Sequence, residues 1–190
     1  MKKICTVLLV VATLALARPA HAGLAVGADV YGAKALGDGS DSISIGYGFN
    51  GRLGYTLPVP VVDLTPEILV GYTRFSPDTG SGSIGVTRAM AGGRVGVGAG
   101  FKPFAYWHIG YAHPAAESAG VELAADVLCT QVGGGLDFTA LPLLNLGIQV
   151  GYNYASEGDA TLTTAGVTRT VKVKDGTTWV DFGVHASIEF

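Results

Sequence analysis

Apolar and polar side chains alternate, one by one, over most of the chain beyond residue 22. The clearest stretch is the last one, where every second residue is apolar: Val180, Phe182, Val184, Ala186, Ile188 and Phe190. The residues between them include Asp181, His185 and Glu189. This alternation belongs to a β-strand with one apolar face, whereas an amphipathic helix repeats every ~3.6 residues. The pattern therefore predicts strands and does not predict a helix.

Seven further stretches alternate in the same way, some of them less cleanly. Their apolar positions fall within residues 24–30, 43–55, 64–72, 89–99, 104–113, 132–138 and 144–154. Within 104–113, we expect Trp107, Ile109 and Tyr111 to share the apolar face, with Tyr106 and His108 on the other face. Together with the last stretch, the sequence predicts an all-β protein of eight strands.

The connections between these stretches alternate between short and long. The short ones are rich in proline and fall at Leu57-Pro58-Val59-Pro60, Phe101-Lys102-Pro103 and Leu141-Pro142. The long ones are polar and cover residues 34–41, 76–83, 114–120 and 157–177. Short turns at one end and long loops at the other are typical of an antiparallel up-and-down transmembrane barrel. Both ends of the predicted barrel domain then lie on the short-turn side, which is the periplasmic side in such barrels.

The period alone does not say which face meets lipid, because a soluble eight-stranded barrel has the same alternation with its apolar face inward. Three features favour an apolar face that is turned outward to lipid. That face carries a single charge, Arg74, close to a strand end. The opposite face mixes glycine with charge. Aromatic residues lie near the two ends of the strands, as in interfacial girdles: Tyr55, Phe138 and Phe190 at one end, Tyr72, Tyr111, Tyr152 and Tyr154 at the other.

Composition agrees with a wall that faces lipid. Only 14% of the 190 residues are charged and the mean hydropathy is +0.40, whereas soluble domains carry about 25% charged residues. Glycine occurs 29 times, which suits a narrow and crowded interior. The formal charge of −3 gives no basic face for nucleic acid. Cys129 is the one cysteine beyond residue 22, so the sequence predicts neither an internal disulfide nor a cysteine-rich metal site in 23–190.

The first 22 residues have the layout of a secretory signal peptide. Met1-Lys2-Lys3 is basic, a short apolar run follows, and Ala20-His21-Ala22 offers small residues for cleavage after Ala22. The apolar run is too short to cross a bilayer as a helix. We therefore expect a signal peptide over 1–22 and a barrel domain over 23–190. Cleavage would remove three basic residues and leave 9 basic and 15 acidic ones.

Several polar residues of the predicted inner face lie at a similar distance from the short-turn end. Asp29, Arg52, Glu67 and Arg94 do so on four consecutive strands, and their charges alternate in sign. Because buried charges need partners, we expect an ion-pair network that plugs the lumen. The polar lining of a narrow channel for small or hydrophobic solutes is the alternative. The full set at this level is Asp29, Arg52, Glu67, Arg94, His108, Gln149 and His185.

With these strands and this final stretch, residues 23–190 resemble the small outer-membrane barrels related to OmpX and to the OmpA membrane domain. The resemblance implies an integral protein of a Gram-negative outer membrane that contacts lipid and lipopolysaccharide and needs no cofactor. It also implies that the barrel-assembly machinery reads the alternating end of the chain, which consists of Phe182, Val184, Ala186, Ile188 and Phe190.

Some barrels of this size are enzymes that modify lipid A with a histidine, a serine and an acid near the outer rim. The candidate residues here are His113, Glu117 and Ser118. Nothing in the sequence fixes a base beside a nucleophile at these positions, as nucleophilic catalysis requires. The sequence therefore predicts a non-enzymatic protein, with a lipid A-modifying enzyme as a remote alternative.

The long connections are the predicted contact surface. The fourth holds Arg169, Lys172 and Lys174, with threonine and valine alternating between and before them. We expect its strands to project beyond the membrane, where an exposed strand edge can recruit an extended partner. The cations could also pair with lipopolysaccharide phosphates. The sequence leaves the extracellular partner unidentified, and a solvated hairpin is the simpler alternative.

Overall fold

The fold is all-β. The structure, a computed structural model, describes residues 23–37, 40–59, 62–78, 82–98, 100–118, 121–164, 167–173 and 176–190. The predicted signal peptide over 1–22 therefore lies outside the described residues. The strands are β1 Gly23–Leu36, β2 Gly46–Val59, β3 Val62–Phe75, β4 Ser83–Val97, β5 Phe101–Ser118, β6 Val121–Ala125, β7 Val127–Leu141, β8 Leu144–Ala155, β9 Gly158–Thr164, β10 Val167–Val173 and β11 Thr177–Glu189.

Eight of these strands close into a barrel in which each strand pairs antiparallel with its neighbours. The order around the wall is β1, β2, β3, β4, β5, β7, β8 and β11. Pairing of β11 with β1, from Ala25 opposite Glu189 to Leu36 opposite Thr178, closes the ring. The predicted eight-stranded up-and-down barrel is confirmed. A short 3-10 helix, Ser40–Ser42, follows β1.

The two faces of the wall are those that the alternation predicts. Phe182 and Val184 are 63% and 52% exposed on the outside, whereas Asp181 and His185, which flank this pair along the chain, are buried inside. The fifth barrel strand follows the same rule, because Trp107 is exposed and its neighbour His108 is buried. The barrel therefore has an apolar exterior and a filled interior.

The predicted turn at Phe101-Lys102-Pro103 is wrong. These residues form the start of β5, and Lys102 is buried in the lumen. The chain turns earlier, where Gly98 and Gly100 have φ values of 112° and 80°. Glycine adopts this left-handed backbone without a side-chain clash, so glycine fixes this turn, and proline does not. Leu57–Val59 likewise belong to β2, since Val59 pairs with Val62.

The three remaining strands form a sheet that extends beyond the long-loop end of the barrel. β6 pairs with the end of β5, β9 pairs with β6, and β10 pairs with β9. We call residues 115–118, 121–125, 158–164 and 167–173 the tongue. The strands predicted in the fourth long connection are thus confirmed. The third connection, predicted as a loop over 114–120, is instead mostly strand, because β5 continues to Ser118.

In the described part of the chain, no helix is long and apolar enough to cross a membrane.

Candidate functional site

The lumen of the barrel contains a connected network of buried charges. Arg52 lies at its centre: its Nε donates to Asp29 Oδ1 at 2.9 Å and its Nη1 donates to Glu67 Oε2 at 3.3 Å. All three side chains are at least 90% buried. The inward positions of β1, β2 and β3 bring these groups together, since neighbouring strands lie about 4.8 Å apart. One arginine thus joins two carboxylates across three strands.

A second arginine extends the network toward the opposite wall. Arg94 Nη1 lies 3.7 Å from Asp137 Oδ2, and Arg94 Nε lies 3.8 Å from Glu67 Oε1. His185 Nε2 forms a hydrogen bond with Asp137. The Arg94 guanidinium also stacks 4.2 Å above the centre of the Phe104 ring. Asp137 is therefore a shared acceptor between β4 and β11.

The histidine on β5 links the network around Arg52 to polar side chains that lie nearer the long-loop end. His108 Nε2 lies 3.0 Å from Glu67 Oε1, and its Nδ1 lies 3.2 Å from Gln131 Oε1. Six of the seven residues predicted at this level are thus connected. Gln149 is buried in the same lumen but joins the network through no hydrogen bond or ion pair among the described residues.

Arg88 is not among the seven residues predicted for the network, although the alternation in β4 places it on the inward face. Arg88 is 1% exposed and lies in a layer nearer the long-loop end. Its Nη1 donates to Asn153 Oδ1 at 2.5 Å, and its Nη2 donates to the Tyr31 hydroxyl at 2.7 Å. Nη2 also lies 4.0 Å from Asp181 Oδ2, which accepts from Asn153 at 2.7 Å. Arg88 is the cation of a second polar layer.

Beyond this layer the lumen is apolar, which the sequence did not predict. Trp179 is 1% exposed and packs edge-on against Phe75, with ring centres 6.4 Å apart. The rest of this outer cluster consists of small and medium side chains that point inward from the ends of the barrel strands. They include Ala33, Ala35, Val86, Ala112, Val127, Cys129 and Ala155. The interior is therefore polar at the centre and apolar toward the long loops.

The short-turn end of the lumen holds a small polar cavity of about 30 Å³. Arg94, Lys102, Asp63 and Ser187 are among its lining residues. Lys102 Nζ forms an ion pair with Asp63 Oδ2 at 2.5 Å. A cavity of this size has room for about one water molecule. Across the described residues, no group of three or more His, Cys, Asp or Glu side chains is arranged to hold a metal ion.

Glycines make room for the large side chains of the lumen. A Cβ on Gly48 would collide with the ring of Tyr31, and a Cβ on Gly133 would collide with the ring of Tyr106. Both tyrosines are buried in the lumen. The predicted role of glycine in a crowded interior is confirmed at these two positions.

The residues of the predicted assembly signal lie on the outside of β11 or directly after it. Phe182, Val184, Ile188 and Phe190 are exposed, and Ala186 is half-buried. The Phe190 amide donates to the Leu24 carbonyl at 2.9 Å, so the chain end remains attached to β1. Recognition by the assembly machinery stays a prediction.

The candidate catalytic histidine lies on the outside of the wall. His113 Nδ1 is 2.9 Å from Asp126 Oδ1, and both side chains are exposed. The side chains of Glu117 and Ser118 lie outside the described residues. The partner of this histidine is therefore Asp126, which is not among the predicted candidate residues.

The tongue ends in β10, which pairs with β9 and with no other strand among the described residues. Every residue of β10 from Val167 to Lys172 is exposed. Arg169 lies opposite Leu162, and Lys172 lies opposite Asp159. Lys174 lies outside the described residues. The tongue thus presents one strand edge and two cations to solvent.

Comparison with solved structures shows the same fold in small outer-membrane barrels. The neisserial surface protein NspA has a TM-score of 0.59 at 15% identity, covering 88% of this chain and 97% of NspA. Ail, the attachment invasion locus protein of Yersinia pestis, has 0.54 at 13% identity, covering 90% and 99%. A major outer membrane protein from Thermus thermophilus has 0.60 at 15% identity, covering 90% and 100%. No family model and no curated protein matches the sequence.

Proposed function

We propose that the protein is an integral barrel of a Gram-negative outer membrane that supports membrane integrity and makes surface contacts, without catalysis. An apolar belt around a charged lumen supports this placement, because a wall of exposed aliphatic and aromatic side chains is stable in lipid and unstable in water. Val30, Val150 and Phe182 are each at least 50% exposed in that belt. The eight closed strands leave no unpaired wall edge in the hydrocarbon region, as a membrane requires.

We propose further that the lumen is closed to solutes. The observation that carries this proposal is the succession of filled layers: the Arg52 network, the Arg88 network and the apolar cluster around Trp179. An ion that passes would have to displace buried ion pairs and then cross apolar side chains, both of which are costly.

Planar-bilayer recording tests the closed lumen. The refolded protein is expected to show no steady conductance at any moderate voltage, because no layer opens without breaking buried contacts. Heat-modifiable migration in detergent gels verifies that the same preparation is folded. A steady open state in folded protein would contradict the closed lumen and favour a narrow channel.

The surface contact is proposed for the tongue. β10 offers the backbone donors and acceptors of an unpaired edge, and an extended peptide can add to such an edge as a new strand. Val167 and Val171 lie on the same side of β10 as Arg169, whereas Lys172 lies on the other side. Because Arg169 and Lys172 are three residues apart, an added strand with two acids at that spacing would place one beside each cation. The expected partner is therefore an extended acidic segment.

A peptide-binding assay tests the tongue. A synthetic β-prone peptide with two glutamates three residues apart is expected to bind the folded protein, and the same peptide with lysines is expected to bind weakly. Replacing Arg169 and Lys172 by glutamine should weaken binding of the glutamate peptide by about fivefold, since exposed charge pairs contribute roughly 0.2–1 kcal/mol each. Deleting residues 160–175 should abolish binding while the barrel still migrates as folded. Equal binding of the two peptides would contradict the proposed contact.

The alternating end of β11 is proposed as the part that the barrel-assembly machinery reads. Its exposed Phe182, Val184, Ile188 and Phe190 form an apolar row that a membrane-embedded catalyst could contact before the barrel closes. The support for this role is the resemblance in pattern and the exposure of the row.

A further inference from the structure

One part of the outer wall differs from the apolar belt around it. At the long-loop end of β3, β4 and β5, the outside of the wall carries Tyr72, Arg74, Thr87 and His113. We call these four residues the rim patch. Tyr72 lies directly opposite Thr87, and Thr87 lies directly opposite His113. Three hydrogen-bonding side chains thus occupy one row across three strands, and Arg74 lies one position above that row.

The Tyr72 hydroxyl is placed at the level of Arg74 by a glycine. Arg74 lies opposite Gly85, and a Cβ on Gly85 would come within 2.9 Å of the Tyr72 hydroxyl oxygen. The tyrosine side chain therefore leans toward the long-loop end and occupies the space that a larger residue would fill. From the other side the ring packs against Phe49, with ring centres 6.1 Å apart. The Tyr72 hydroxyl therefore lies close to Gly85, the residue directly opposite Arg74.

Arg74 differs in its partners from the arginines of the lumen. Arg52, Arg88 and Arg94 each lie within 4.0 Å of a carboxylate. Arg74 is exposed, and no carboxylate in the described part of the chain forms an ion pair with it. The acid that lies nearest the patch along the row, Asp126, contacts His113 at 2.9 Å. With no carboxylate partner among the described side chains, the exposed guanidinium can contact an anion outside the protein.

The location of the rim patch limits which kind of anion could bind there. The patch lies on the lipid-facing side of the wall where the apolar belt ends, so its ligand must be attached to the membrane. A guanidinium with neighbouring hydroxyl groups matches the several acceptor oxygens of a phosphate group, and arginine binds phosphate in a bidentate manner. The sequence predicts that the short turns lie on the periplasmic side, so the long-loop end lies in the outer leaflet.

We propose that the rim patch is a binding site for a phosphate group on the headgroup of an outer-leaflet lipid. Arg74 supplies the charge, the Tyr72 and Thr87 hydroxyls donate to the remaining phosphate oxygens, and His113 borders the site. This inference rests on the proposed membrane orientation. It assigns lipid recognition to the barrel wall, separate from the cations of the tongue.

Native mass spectrometry of the detergent-folded protein tests the site with two probes: lipid A that carries its phosphates, and the same lipid A after removal of the phosphates. The wild-type protein is expected to retain phosphorylated lipid A preferentially. Arg74→Gln should weaken that binding by about tenfold, which is about 1.4 kcal/mol, because the charge-assisted hydrogen bonds from the guanidinium to the phosphate are lost. Tyr72→Phe combined with Thr87→Val should weaken it by about threefold, through loss of two hydroxyl donors at an exposed site.

Lys34→Gln is the matched control, because Lys34 is also an exposed cation outside the barrel near its long-loop end. Its Nζ already donates to the Ile43 carbonyl at 2.8 Å, so the loss of its charge should change lipid A binding little. Equal weakening by Lys34→Gln and Arg74→Gln would show general attraction and overturn the site. Unchanged binding by Arg74→Gln would overturn it as well. If the wild-type protein fails to insert into vesicles, the proposed function itself fails, which is a different result from insertion without dependence on Arg74.

Discussion

Replacing Arg88 by methionine is expected to lower the free energy of unfolding by about 3–5 kcal/mol, the usual cost of removing one partner from a buried ion pair. The side chain is 1% exposed, and so is Asp181, which lies 4.0 Å away. Methionine has a similar length but no donors. The substitution would leave the Asp181 carboxylate buried without a cation, and Asn153 and the Tyr31 hydroxyl would each lose a hydrogen bond.

Urea unfolding in detergent, followed by the change in gel mobility, measures this effect. Arg169→Met in the exposed β10 is the matched control and should shift the unfolding midpoint little, because exposed charges contribute little to stability. Adding Asp181→Leu to Arg88→Met should recover part of the loss, since the second change removes the unpaired buried charge. A midpoint for Arg88→Met that equals the control would show that the second polar layer does not stabilise the lumen.

Val184→Arg is expected to make insertion and folding in lipid less favourable by about 2–4 kcal/mol. This is the cost of an arginine on the lipid face near the bilayer midplane. Val184 is 52% exposed near the middle of β11. In water an exposed valine tolerates this change, whereas the hydrocarbon core offers the guanidinium no hydrogen-bond acceptors.

The matched control for this prediction is Val167→Arg in the tongue, where the native valine is 58% exposed. Both positions are strand valines of similar exposure, so the difference between the two variants isolates the surrounding medium. Folding yield and urea midpoint in lipid vesicles are the measurements. Equal tolerance of the two arginines would indicate that the outside of the barrel faces water.

The inward and outward faces could be predicted because successive side chains of a strand point to opposite faces. Once one row of a strand is clearly apolar, the face of each remaining residue in that strand follows. Val184 and His185 illustrate this, as do Trp107 and His108. A similar distance from the short-turn end also predicted correctly which charged side chains of the lumen are in contact. Asp29, Arg52 and Glu67 lie on three adjacent strands and are in direct contact.

Other features depended on information that the alternation does not contain. The turn before β5 was misplaced because proline at Pro103 is an obvious signal, whereas the turn is made by Gly98 and Gly100 with positive φ. Arg88 was missed because its partners come from strands far apart in sequence. Asn153 is 65 residues away along the chain, and only barrel closure brings it near. The tongue strand β6 is not visible in the sequence pattern, because five residues are too few to show a period.

The outside of this barrel is expected to face lipid, whereas the lumen around Trp179 is expected to exclude both lipid and water. The two tryptophans test this directly, because Trp107 is 47% exposed on the outside and Trp179 is 1% exposed in the lumen. Trp179→Phe leaves Trp107 as the single tryptophan, and Trp107→Phe leaves Trp179. In vesicles of lipids with brominated acyl chains, Trp107 emission should be strongly quenched and Trp179 emission nearly unchanged. Strong lipid quenching of Trp179, or quenching of Trp107 by aqueous acrylamide but not by the brominated lipid, would contradict this structure of the wall.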